Sequence, residues 1–235
     1  MQNTENLMPE TLAKYIGWSM LISIFIGIVA AFLVARGIDI NLSADIKATS
    51  ENMLDAEQRL RAKAYIALFS FALDAFINVG LFVLLRRSGQ LMAAWSLFVS
   101  LVASTTILLG AMFAMNAALI SSNTAYDVIS NDAQRLLLVS LQVTSDYTSF
   151  HLGLILATAA KAGFFYLFFK SALIPKIISG WGVFASLFVV ITIVARDFMP
   201  ILGSDTITAS FMVSNLLALV STGLYLGIKG VRGNR

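Results

Sequence analysis

Long apolar runs punctuated by single charges dominate the chain. No charge falls between Tyr15 and Ala35. Ala64 to Leu85 is interrupted only by Asp74. Leu91 to Ile120 is apolar, and Tyr147 to Phe169 is broken by His151 and Lys161. Ile177 to Ala195 and Thr206 to Ile228 complete the set. At a rise of about 1.5 Å per residue each run crosses a hydrocarbon core about 30 Å thick. Helix is required, because open strands leave backbone groups unpaired in lipid. The pattern predicts an all-α polytopic membrane bundle, a single integral membrane domain over 1–235. Its six transmembrane helices fall near 13–35, 64–85, 91–121, 147–169, 175–195 and 206–228.

Two of the connections have a pattern of their own. Ser43 is placed to cap a helix with Asp45 in its first turn, and Ile46, Met53, Leu60 and Ala64 then share one face. Ser130 and Asp132 repeat the plan ahead of Leu136, Leu137, Leu141 and Thr144. Neither stretch contains Gly or Pro. Amphipathic helices are expected over about 43–62 and 130–145, each leading directly into a span. They either lie on the lipid surface or form a lid or docking surface.

Composition agrees with the membrane reading. Hydrophobic residues make up 58% of the 235 positions and charged residues 12%; mean hydropathy is +0.84. A soluble globule and a disordered chain are excluded. The net charge of +3 resides mostly in short connections, as membrane insertion requires, so nucleic-acid binding is not implied. With no cysteine and one histidine, thiolate chemistry and multi-His metal or haem ligation are excluded, and no cofactor is expected.

Charge also suggests an orientation. The N-terminus, second and fourth connections and C-terminal tail carry Lys14, Arg86, Arg87, Lys170, Lys176, Lys229, Arg232 and Arg235 against two acids, Glu5 and Glu10. The other connections carry seven basic residues against ten acids. Both termini are therefore expected on the cytoplasmic side, with the amphipathic segments outside. The first span lacks a basic leader and a small-residue cleavage site, and reads as an uncleaved helix.

An internal repeat is also suggested. Trp18, Trp95 and Trp181 each open an odd-numbered span and each precede a serine by five residues: Ser23, Ser100 and Ser186. Gly80, Gly163 and Gly223 each precede the basic end of an even-numbered span. Three helical hairpins of one orientation would explain this, although interfacial Trp and terminal basic residues occur in any membrane protein.

Ionisable residues inside hydrocarbon are costly and point to function. Asp74 and Lys161 are the two here, about 15 Å and 21 Å along their helices from the outer starts of their spans. Asn78 is one turn from Asp74, Thr158 one turn from Lys161, and Asn215 lies at a depth similar to Asp74. Together they suggest a midplane polar seam. It serves either interhelical hydrogen bonding or a proton or substrate path. His151, near the outer interface, is a candidate pH-responsive group.

The Lys170-Ser-Ala-Leu-Ile-Pro-Lys-Ile-Ile-Ser-Gly180 connection, Leu81-Phe-Val-Leu-Leu-Arg-Arg87, the long third span, Asp74 and His151 together resemble the domain-of-unknown-function 4386 family. The resemblance runs from the first span to the end of the fifth. The chain departs from it at Val99 and Ser100, where a polar or basic residue is expected, and at Lys161. The resemblance implies about six helices in a bacterial inner membrane and implies no activity.

Three functions remain open. The first is a small transporter-like bundle using the polar seam. The second is an accessory or assembly subunit that packs against a larger membrane complex or a second copy. The third is a lipid-modifying membrane enzyme. No nucleophile elbow, zinc-protease motif, phosphate loop or Asp-x-x-Asp is present, so enzyme chemistry is disfavoured and no catalytic residue is nominated. Small residues in the third span suit close helix contact, and no proline interrupts a span.

Overall fold

The computed structural model describes residues 2–42, 44–122 and 131–232. Among them are seven α-helices and one short 3-10 helix, with no strand: α1 Gln2–Leu33, α2 Ile46–Met53, α3 Glu57–Leu85, α4 Gln90–Ser121, α5 Asp132–Ser171, α6 Lys176–Arg196, η1 Pro200–Gly203 and α7 Asp205–Lys229. Six of them, all but α2 and η1, are long and apolar enough to cross a membrane. The chain is an all-α integral membrane bundle.

Two compact units share these helices. The first comprises residues 1–24, 73–103 and 155–235. Its core is built from Ala13, Ile16, Leu81, Leu85, Phe164, Phe165, Phe168, Ala218 and Leu226. Here α1 and α7 touch backbone to backbone. A methyl group on Gly17 would collide with the main chain of Gly227 and Gly223. In lipid, where burying apolar surface gives little gain, such small-residue contacts hold helices together. Trp181 of α6 donates its indole N–H to the Ser214 carbonyl of α7 at 3.2 Å.

The second unit comprises residues 25–72 and 104–154. Ile38, Met53, Ala56, Leu60, Ala114, Ala117, Ala118, Val139 and Val143 form its core. A helix leaves its last carbonyls unpaired and the turn after it needs donors as well; here two arginines supply them. Arg59, in the first turn of α3, donates to the carbonyls of Val34 and Arg36 just past α1. Arg135, in the first turn of α5, donates to Ser121 O at 2.7 Å at the end of α4.

The segment expected as one helix over 43–62 is divided. α2 ends at Met53, Leu54 to Ala56 form a turn, and α3 starts at Glu57. Met53, Ala56 and Leu60 still enter one core, so the apolar stripe survives the break. No Gly or Pro marks the break. Asp45 caps α2, accepting from Ala48 N at 3.1 Å; Ser43, expected in that role, lies outside the described residues. The stretch expected over 130–145 is no separate helix, since it forms the first turns of the 40-residue α5. Asn131 accepts from Ala133 N at 2.9 Å there, and Ser130 lies outside the described residues.

The three glycines near the ends of the even-numbered spans differ in what they pack against. Gly80 of α3 packs against Ile16 of α1, and Gly163 of α5 against Ser96 and Trp95 of α4, each against the helix that opens its own hairpin. Gly223 of α7 instead packs on Leu21 and Gly17 of α1. The two arginine caps likewise belong to the first two hairpins. Thr208 occupies the corresponding first turn of α7.

Candidate intramembrane polar site

Asp74 lies well inside α3, with about 17 Å of helix between it and the α3 terminus at Leu85. Lys161 lies well inside α5, about 15 Å before its terminus at Ser171. Measured from these ends the two depths differ by about 2 Å, against about 6 Å when measured from the expected outer starts of their spans at Ala64 and Tyr147. The connections after Leu85 and Ser171 are short, so these ends are the better common reference.

The two side chains interact electrostatically. They do not touch, since among the described residues no ion pair of 4.0 Å or less joins them. Asp74 accepts one hydrogen bond, from the hydroxyl of Ser23 on α1, at 3.3 Å. No oxygen among the described residues accepts from the Lys161 ammonium. Ser23 stood out in the sequence only through its spacing from Trp18. The corresponding serines differ in use: Ser100 donates to Leu97 O at 2.9 Å within its own helix, and the Ser186 hydroxyl has no partner among the described residues.

The other seam residues are only partly gathered. Thr158 is fully buried and donates to Ile155 O at 3.1 Å. Asn215 on α7 buries a side-chain oxygen that no donor among the described residues reaches. Asn78 is one turn from Asp74 but forms no hydrogen bond with it. His151 belongs to the second unit, buried beside Tyr147 with ring centroids 6.0 Å apart. No group of three metal-ligating side chains occurs among the described residues.

One ion pair was not anticipated. In the second unit, Lys63 of α3 meets Asp146 of α5 at 2.9 Å, with only 19% and 9% of their side-chain surfaces exposed. Asp146 presses on Gly110 of α4, where a methyl group would collide with its Oδ1. Both charges stood next to apolar runs in the sequence and read as boundary markers. The one available signal was Gly110, a small residue midway along α4.

The connection from Lys170 to Gly180 has a structural use. Ala172 takes a left-handed conformation, φ 53°, and its N–H bonds Phe168 O at 3.0 Å, ending α5. Ile174 is fully buried, and Pro175 is the N-cap of α6. Lys176 lies over the Phe169 ring, 5.7 Å from its centroid, and Leu173 O accepts from Arg232 N at 2.9 Å. Of the sequence features that suggested a family, this turn is the most distinctive.

No curated protein and no solved structure matches the chain. Residues 15–230 match the family described as "Domain of unknown function (DUF4386)", and with most of its length covered the chain belongs to that family.

Proposed function

We propose that this protein is a small proton-coupled transporter-like bundle of a bacterial cytoplasmic membrane, with both termini inside, and that Asp74 and Lys161 are its working groups. The observation that carries this reading is the contrast between two pairs of opposite charges. Lys63 and Asp146 close to 2.9 Å, as a pair that only holds helices together should. Asp74 and Lys161 stay apart, and each keeps unused hydrogen-bonding capacity. An isolated charge at mid-membrane costs about 2.5–3.5 kcal/mol on the insertion scale. An open pair at such depth is poor architecture unless a proton or a small polar group occupies the gap. The buried Asn215 oxygen without a donor adds an acceptor in the same unit.

The test is proton flux in liposomes loaded with a pH-sensitive dye, under an imposed pH gradient with the voltage clamped by potassium and valinomycin. Reconstituted protein should accelerate the internal pH change, and Asp74→Asn should return it to the rate of protein-free liposomes. An unaltered rate with wild-type protein, or full activity in Asp74→Asn, would overturn the reading.

A further inference from the structure

We propose that the turn joining α3 to α4, Arg86 to Gln90, is a binding site for the phosphate group of an anionic phospholipid. A cavity opens there, lined by Arg86, Arg87, Ser88, Gly89 and Gln90. Both arginines are exposed, and no carboxylate among the described residues pairs with either. Guanidinium groups bind phosphate oxygens in bidentate fashion, and Ser88 adds a hydroxyl donor. Gln90, the first residue of α4, lines the cavity, and the first turn of α4 contains no acid to offset the positive end of the helix dipole beside the arginines.

Two further observations favour a lipid over a soluble anion. The turn is fixed in place, because a methyl group on Gly89 would meet Leu167 Cδ2 at 2.8 Å and Leu167 is buried. Immediately beyond the cavity α4 presents apolar surface, with Leu91 86% and Trp95 45% exposed. A headgroup site continuous with an apolar helix face suits an amphiphile whose chains run along α4. Tryptophan is the side chain expected at that boundary.

The experiment is native mass spectrometry of detergent-solubilised protein titrated with phosphatidylglycerol or, separately, phosphatidylcholine. Phosphatidylglycerol adducts should persist and phosphatidylcholine adducts should not. Arg86→Gln/Arg87→Gln should weaken phosphatidylglycerol binding by about tenfold or more. Lys229→Gln/Arg232→Gln removes the same charge at the end of α7 and should leave binding unchanged. Equal loss in both double variants would mean diffuse attraction and overturn the site, as would undiminished binding in the arginine variant. Complete displacement by millimolar inorganic phosphate would reassign the cavity to a soluble anion and overturn the lipid assignment. Should the arginine double variant fail to fold, Arg87→Gln alone is read in the same way.

Discussion

Lys63 and Asp146 are 83 positions apart in the chain and meet at 2.9 Å, largely shielded from the surroundings. Removing one partner of such a pair leaves the other charge uncompensated, which costs about 3–5 kcal/mol when burial is complete. With both side chains partly accessible, Lys63→Met or Asp146→Asn should cost about 2–3 kcal/mol. The double variant should recover most of that. Apparent unfolding midpoints in detergent, arranged as a double-mutant cycle, measure the coupling, and strictly additive losses would contradict it.

Gly110→Ala should weaken the same contact from the other side. The new methyl group displaces the Asp146 carboxylate, a strain of about 1–3 kcal/mol. Placing Gly110→Ala in an Asp146→Ala background removes the obstruction, so the glycine substitution should then be nearly silent. A comparable loss in both backgrounds would show that Gly110 is needed for some other reason.

Two glycines of α1 make a matched comparison. Gly17 abuts the backbone of α7, whereas a methyl group on Gly27 meets nothing within 4 Å. Gly17→Ala should lower the unfolding midpoint by forcing the helices apart. Gly27→Ala should leave it unchanged or raise it, by up to about 1 kcal/mol of helix propensity. Equal effects would contradict the close α1–α7 contact.

For Asp74 and Lys161 the proposed role leads to a different pattern from that of Lys63 and Asp146. Asp74→Asn and Lys161→Met should each destabilise by about 1–2 kcal/mol, less than in the closed pair because the groups do not touch. The double variant should recover part of this while proton flux stays absent. Recovery of flux together with stability would make the pair structural.

The proposed orientation places Asp55, an exposed residue in the turn before α3, outside the cytoplasm. The chain has no cysteine, so Asp55→Cys gives a single labelling site. A membrane-impermeant maleimide added to intact cells should modify it. Modification only after the cells are opened would reverse the topology.

The spans were legible in the sequence because charge is excluded from hydrocarbon, so the gaps between charges mark the helices. Asp74 and Lys161 stood out by the same rule, as exceptions to it. Lys63 and Asp146 did not, because a charge at the edge of an apolar run has an ordinary explanation. Only the packing of α3 and α5 near Gly110 brings them together. Ser23 was visible only as part of a spacing pattern, and its hydroxyl contact with Asp74 is not shared by Ser100 or Ser186. The turn at Leu54 to Ala56 had no marker, since Met53, Ala56 and Leu60 keep one helical period across it. α5 merged two expected elements because its amphipathic beginning and apolar remainder follow each other without Gly or Pro until Gly153.

The two arginine caps have a consequence for biosynthesis. The carbonyls in the turn just past α1 wait for Arg59 and the one at the end of α4 for Arg135. Each donor is translated only after the helix end that it completes. Until the first turn of the next helix has emerged, those carbonyls depend on water or on lipid headgroups. The α1–α3 and α4–α5 hairpins are therefore the smallest pieces of nascent chain that can satisfy their own backbone at these ends. A chain arrested between Leu33 and Arg59, or between Ser121 and Arg135, lacks the donor that completes the corresponding end.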